Sequence, residues 1–340
     1  MRAMLLQQVG AMRADRDPLV AADLPMPEPA PGEIRVRVEA CGVCHTELDE
    51  IEGRTPPRVL PVVPGHEIVG IVDALGADAS LHSLGNRVGV GWIHHSSGTT
   101  DENLSPEFTA TGRDVNGGYA EYMTVPEDYA FPIPERYESA QAAPLLCAGA
   151  VGYRALKLTR LRDGEALGFM GFGASAHLML QLARHMYPHS RLCVFARDAA
   201  QRQFALTLGA DWAGATQERS PFELDAIVDT TPAWLPVVEA LANLAPGGRL
   251  VINAIRKESD DKHLLGSISY RRQLWLEREI KTVANVTRFD IAAFLPLAAG
   301  VPLLPEVTCY PLHQANRALL DLRFGQSRGA KVLTLSGQGA

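Results

Sequence analysis

At 340 residues the chain is long enough for about two domains. Hydrophobic residues make up 46% of it and charged residues 21%, a balance that suits a packed core and excludes wholesale disorder. The net charge of −7, with no local basic patch, argues against a nucleic-acid groove.

The chain opens on MRAMLLQQVGAMRADRD, which lacks the long apolar core of a secretory signal. The first part then reads as β-rich. Ile34, Val36 and Val38 alternate with Arg35, Arg37 and Glu39, the period of a half-buried strand. Further short apolar runs follow at IVGIVDAL from Ile68, RVGVGW from Arg87 and YAEYMTV from Tyr119. Glycine and proline punctuate them, and many short strands of this kind predict a barrel-like domain.

From about Gln141 the texture changes. EALGFMGF is followed by SAHLMLQLARHM, RLCVFA by AAQRQFALTLGA, and LDAIVDTT by LPVVEALANLAPGG, with RLVINAI last. Strands alternating with helices in this way predict a doubly wound parallel sheet. After about Arg288 two helices and two short strands are expected, ending at VLTL from Val332. The uncharged stretch Ala166–Ala183 has the length of a membrane span, but Gly168, Gly171, Gly173 and His177 favour a strand, a tight turn and a buried helix. The five cysteines are an odd number scattered from Cys41 to Cys309, which does not suit a secreted disulfide framework. The expectation is a soluble cytoplasmic protein with no membrane partner.

Gly171-Phe-Gly173-Ala174-Ser175-Ala176 follows an apolar strand and opens a helical pattern. This is the G-x-G-x-x-G/A arrangement in which glycines give a tight turn and backbone access to a pyrophosphate, and the helix N-terminus favours the anion. A glycine-rich core turn would read the same locally. At the end of the next strand the run is Val194-Phe195-Ala196-Arg197-Asp198. Ala196 stands where an acid would hold the ribose 2′-hydroxyl of NAD, and Arg197 follows it. A guanidinium suits a 2′-phosphate, so NADP(H) is favoured over NAD(H). A shift of one residue would make Asp198 the ribose ligand instead.

Three further segments carry chemistry: Cys41-Gly-Val-Cys44-His45-Thr46-Glu47, Gly65-His66-Glu67 and Pro144-Leu-Leu-Cys147-Ala-Gly149. With the glycine loop, the GGYAEY run at Gly117–Tyr122 and the LGAD at Leu208–Asp211, they resemble the zinc-type alcohol dehydrogenases of the medium-chain dehydrogenase/reductase superfamily, in particular its bacterial and cinnamyl-alcohol-type branches. The resemblance spans nearly the whole chain. It implies a GroES-like β-barrel catalytic domain over residues 1–140 and 289–340, and a Rossmann cofactor domain over 141–288. It also implies one catalytic zinc on Cys44, His66 and Cys147. Two thiolates and an imidazole leave a fourth position open for water or substrate, which suits polarising an alcohol or aldehyde oxygen.

The resemblance gives the neighbours roles. Thr46 passes the alcohol proton outward, Glu47 orients the imidazole of His66, and Glu67 steadies or transiently binds the metal. His45 reaches the cofactor pyrophosphate, and the backbone of Val283-Ala284-Asn285 holds the nicotinamide amide. Asp49 stands where many relatives carry the histidine that ends the proton relay, so the relay would end on that carboxylate or on water. Trp92 and Ile93 resemble the wall of the substrate cleft, a wall that would favour slim or flat apolar substrates. Trp92 as ordinary core, and Cys41-x-x-Cys44 as a redox pair, are the plainer readings of those residues.

The pattern breaks where relatives carry a second, structural zinc on four cysteines. Here Trp92–Pro106 contains no cysteine: Ser97, Thr100 and Ser105 stand at three of the ligand positions, and the fourth is deleted. One zinc per chain is therefore expected, with His94–Arg113 a metal-free loop and His94 and His95 part of a polar loop. A homo-oligomer, a dimer rather than a tetramer, is expected around it. Two other functions remain compatible with this fold: a zinc-free quinone or enone reductase, and a catalytically silent NADP(H)-binding protein.

Overall fold

The structure is a computed structural model and describes residues 1–325 and 329–335. The chain forms two compact units. The first comprises Met1–Cys147, Val286–Ala299 and Leu304–Ala340, and the second Ala148–Asn285 with Gly300–Leu303.

In the first unit β1 (Arg2–Leu5) and β2 (Val20–Asp23) pair antiparallel. The alternating run predicted at Ile34–Glu39 lies in the long strand β3 (Glu33–Val43). Ile34, Val36 and Val38 are buried, while Arg37 is exposed. Burying three such side chains stabilises the unit by roughly 1.5–3 kcal/mol each. Helix α1 (His45–Ile51) follows directly, then β4 (Ile68–Leu75), β5 (Arg87–Val90), β6 (Ile93–His95), β7 (Thr109–Ala110), β8 (Tyr122–Pro126) and β9 (Ala130–Pro132). The short helix α2 (Ser139–Ala142) leads to the 3-10 turn Ala143–Leu146.

Strand β3 organises this sheet. One edge pairs antiparallel with β4, and the other pairs with β8 along Glu33–Arg37. Register shifts between Arg35 and Val36 and between Val38 and Ala40 mark irregularities of the kind that bend a strand. The core beneath it gathers Val36, Val38, Ile68, Val88, Tyr119 and Met123.

The second unit opens on α3 (Ala148–Thr159) and contains a six-stranded parallel sheet. Its strands are β10 (Ala166–Met170), β11 (Arg191–Phe195), β12 (Trp212–Gly214), β13 (Leu224–Asp229), β14 (Leu244–Ile252) and β15 (Glu279–Thr282). The crossover helices are α4 (Ala174–Met186), α5 (Ala199–Thr207) and α6 (Leu235–Asn243). The spatial order β12-β11-β10-β13-β14-β15 reverses direction beside β10. That reversal is the topological switch point at which such sheets bind ligands. The doubly wound sheet is thus as predicted. β14 begins at Leu244, earlier than RLVINAI suggests, because Leu244 pairs with Leu224 across an irregularity. β15 has four exposed residues and therefore no alternating signal to read.

The chain returns to the first unit with α7 (Arg288–Gly300), β16 (Val307–Pro311), α8 (Ala315–Phe324) and β17 (Ala330–Thr334), the two helices and two strands expected. β17 pairs with β3 along Ala40–Val43, end to end with β8 on the same edge. No helix among the described residues is long and apolar enough to cross a membrane.

Candidate active site

The first prospective ligand, Cys44, ends the β3 segment and caps α1. Its backbone N–H donates to Glu47 Oε2 at 2.7 Å, closing the first turn of the helix. The other oxygen of the same carboxylate, Oε1, lies 2.5 Å from His66 Nδ1. Glu47 therefore fastens two ligand-bearing segments with one side chain. Because Nδ1–H points at a carboxylate, the Nε2 lone pair of His66 is left for a metal.

Cys147 follows the 3-10 turn Ala143–Leu146, and Glu67 follows His66 just before β4. The ligand atoms of Cys44, His66, Glu67 and Cys147 all lie within 4.8 Å of one another. Among the described residues, this is the group of histidine, cysteine and acidic side chains that converges as a metal site would. Cys147 hydrogen-bonds Cys44, and this bond with help from His66 holds the Cys44 thiol well below its usual range against the pull of burial. The same bond, and then burial, push Cys147 up. Burial, and then the Cys44 charge, push Glu67 up. For His66 burial acts downward, but Glu47 and Cys44 outweigh it and the net shift is upward. Four such groups repel or share protons in the absence of a cation. Soft sulfur donors with an imidazole fit zinc.

The motif spacing has a steric reason as well. A Cβ on Gly42 would lie 1.8 Å from Glu67 Oε2, so the Cys-Gly-Val-Cys turn leaves the room that Glu67 needs. Thr46 is buried in the first turn of α1, and its Oγ1 is 3.7 Å from Cys44 Sγ. His45 is exposed beside it. Asp49 is buried and accepts from Arg54 Nε at 2.6 Å, which makes it half of a salt bridge with a residue just past this helix. Trp92 follows β5, with its ring 6.1 Å from the His66 ring and 5.3 Å from Phe108.

The cysteine-free segment is more structured than the expected loop. It contains β6, β7 and a 3-10 turn at Glu102–Leu104. Its anchor is Glu102, which is fully buried. Tyr129 Oη donates to Glu102 Oε2 at 2.8 Å, and the Arg288 backbone N–H donates to Oε1 at 2.5 Å. The Arg288 side chain also pairs with Asp128 and donates to the Gly98 carbonyl at 3.0 Å. Ser97 and Ser105 make local turn bonds, Ser97 to Thr99 and Ser105 to the Glu107 amide. His94 lies near Glu33 and His95 near the Tyr129 ring, so the two imidazoles face different partners.

In the second unit, Gly171-Phe172-Gly173 follows β10, and Ala174, Ser175 and Ala176 open α4. Gly171 has φ +84°, and a Cβ there would lie 2.7 Å from Thr231 Cγ2, so both conformation and space require glycine. The Thr231 turn is itself clamped. Lys257 Nζ pairs with buried Asp229 and donates to the carbonyls of Thr231 and Ala233 at 2.8 and 2.9 Å. Asp198 accepts from the Ala200 N–H at 2.8 Å as the N-cap of α5, while Arg197 is exposed beyond the end of β11. Val283, Ala284 and Asn285 lie just past β15 rather than in it, and Asn285 has φ +59°. Asn253 directly follows the neighbouring β14, and the side-chain nitrogens of Asn253 and Asn285 are buried without a hydrogen bond.

Glu50, Glu102, Asn253 and the Asp229–Lys257 pair escape sequence reasoning. One signal was present: α1 carries three acids in the run Glu47-Leu48-Asp49-Glu50 beside a ligand motif, and all of them are buried.

A family profile for the alcohol dehydrogenase GroES-like domain matches residues 30–135. A probable alcohol dehydrogenase of Mycobacterium tuberculosis is 40% identical over 98% of this chain and 97% of its own length. Among solved structures, a cobalt- and zinc-bound thermostable alcohol dehydrogenase from Pyrobaculum aerophilum superposes with TM-score 0.83 at 22% identity, covering 98% of this chain and 99% of that one. CAD from Helicobacter pylori, complexed with NADP(H), also superposes with TM-score 0.83, at 21% identity over 98% of this chain and 99% of that one. At those identities the two structures establish the fold, a GroES-like domain joined to a Rossmann-type parallel sheet. Taken with the relative at 40% identity over nearly the full length, they lead to one conclusion: the chain belongs to the NAD(P)-dependent alcohol dehydrogenases of the medium-chain dehydrogenase/reductase superfamily.

Proposed function

We propose that this alcohol dehydrogenase is zinc-dependent, prefers NADP(H), and interconverts small primary alcohols and aldehydes. The observation that carries the reading is the convergence of Cys44, His66, Glu67 and Cys147 within 4.8 Å. Cys44, His66 and Cys147 would hold the ion, with Glu67 as an occasional fourth donor. When bound, zinc supplies Lewis acidity that makes an alcohol hydroxyl easier to deprotonate and an aldehyde carbonyl easier to reduce. A zinc-free reductase would have no use for the two thiols and the carboxylate-held imidazole.

The first unit serves as the catalytic domain and the second as the cofactor domain. Glu47 keeps His66 in one tautomer and one orientation. Thr46 would relay the alcohol hydroxyl proton, accepting it on Oγ1 while its own proton passes to water, and a bound nicotinamide cofactor would supply the hydride chemistry. Trp92 walls the substrate pocket on the His66 side. The N-terminus of α4 and the amides of Gly171–Ala176 take the pyrophosphate. The turn past β15, Val283–Asn285, takes the nicotinamide amide, and Asn253 just past β14 belongs with it. Asp198 is occupied as a helix cap, which supports Arg197 as the group that reads a 2′-phosphate. The edge strand β15, with Ile280 exposed in it and Trp275 exposed shortly before it, supports a dimer. All five cysteines are free, which supports a cytoplasmic location.

The test is elemental analysis together with a panel of alcohols and aldehydes run with each cofactor, following reduced nicotinamide. The proposal expects one zinc per chain and turnover that ends on chelation. Turnover by zinc-free protein would refute it.

A further inference from the structure

Glu50 is left without a role by the mechanism above. It is 1% exposed, and neither carboxyl oxygen has a hydrogen-bond partner. A buried acid without a partner is costly and calls for a reason. Trp92 Nε1 is likewise buried with no partner. Glu50 stands one turn after Glu47 on α1, Glu47 holds His66 at 2.5 Å, and the Trp92 ring lies 6.1 Å from the His66 ring, so the buried acid and the unpaired indole N–H belong to one cluster, in which the indole favours the ionised acid. Burial and the Glu47 charge act the other way and push Glu50 up overall.

The rest of the indole is well held. The Trp92 backbone carbonyl accepts from the Thr111 N–H at 2.8 Å. Phe108 meets the ring edge-on at 5.3 Å, and the Arg113 guanidinium covers its face at 5.4 Å. Arg113 is fixed in turn by Asp114, at 3.1 and 2.6 Å. The N–H edge is the side of the ring left without a partner, and the unpaired Glu50 carboxyl is the acceptor available to it.

We propose that Glu50 is a positioning residue: by capturing the indole N–H of Trp92 it sets the tilt of that ring beside His66, and so decides which alcohols the pocket admits. The proposal rests on the reading of Trp92 as the pocket wall. Glu50→Leu would free the indole to rotate, whereas Glu50→Gln keeps an acceptor of the same length. Replacing a buried acid by an apolar side chain of similar size is often tolerated, so the fold should survive.

The experiment uses zinc-loaded, full-length protein labelled with 15N, with the Trp92 indole resonance assigned by its loss in Trp92→Phe. A second readout is the ratio of kcat/KM for benzyl alcohol to that for 1-butanol. Glu50→Leu should move the indole resonance and change the ratio about fivefold or more, mainly through KM, while Glu50→Gln holds both within about twofold. In a Trp92→Phe background, Glu50→Leu should add nothing. An unmoved resonance and ratio in Glu50→Leu overturns the proposal. So does a shift that persists in the Trp92→Phe background. Should Glu50→Leu fail to fold, the wild-type spectrum decides: an indole proton at the position of a free N–H overturns the proposal, and one displaced toward a bonded N–H supports it. Absence of turnover with any alcohol would refute the functional reading and this inference with it. Turnover with an unchanged ratio would refute the inference alone.

Discussion

Replacing Glu102 by alanine should loosen the segment between β6 and β7 while leaving the metal ligands in place. Glu102 is fully buried and takes two donors, Tyr129 Oη at 2.8 Å and the Arg288 backbone N–H at 2.5 Å. Burial and the Glu102 carboxylate push the Tyr129 hydroxyl up, so it stays protonated and remains a donor. Each buried donor left unpaired costs about 1–3 kcal/mol. The Arg288 charge keeps Asp128 and the Gly98 carbonyl, so no orphaned cation need be added. The loss should therefore be about 3–4 kcal/mol for alanine and about 1–2 kcal/mol for glutamine, which retains one acceptor. That is a large share of the ~5–15 kcal/mol by which a domain is stable. The assay is denaturant unfolding of zinc-loaded protein, with proteolysis of residues 94–113 as a local probe. Glu102→Ala should be cut there faster than wild type, with its zinc content unchanged. A change within about 0.5 kcal/mol, the range for an ordinary surface substitution, would refute the reasoning. So would opening of the segment in wild type by chelator alone, since that would place a metal where Glu102 is argued to stand.

Three further outcomes follow from the site. Alanine at Cys44, His66 or Cys147 should abolish zinc binding and alcohol oxidation and leave NADP(H) affinity intact, as measured by metal content and cofactor fluorescence; turnover by zinc-free Cys147→Ala would contradict this. Glu47→Gln should weaken zinc about 10–100-fold in a competition titration, because it loosens both the His66 ring and the Cys44 turn. Arg197→Ala should weaken NADP(H) by about 1.5–3 kcal/mol by calorimetry and leave NAD(H) little changed. Equal loss for both cofactors would remove Arg197 from the 2′-phosphate, and a wild-type preference for NAD(H) would point to Asp198.

The features legible in the sequence are those encoded locally. The alternation of Ile34, Val36 and Val38 fixes which face of β3 is buried whatever it packs against. Gly171 and Gly173 mark a turn that few other residues can make. Cys44, His66 and Cys147 are conspicuous because thiols and imidazoles are scarce and carry chemistry wherever they stand. The tertiary structure decided the matters that depend on distant partners. Glu102 lies 186 residues from the Arg288 amide it accepts, and nothing in its neighbourhood distinguishes it from a solvated acid of a polar loop. The strands β2 and β15 are largely exposed and carry no period, so only pairing with β1 and β14 defines them. In the same way, the sequence of α1 does not show that Glu50 lies inside beside Glu47 and Asp49. A carboxylate costs little in water and much in a protein interior, and sequence does not reveal which of the two environments the rest of the chain provides.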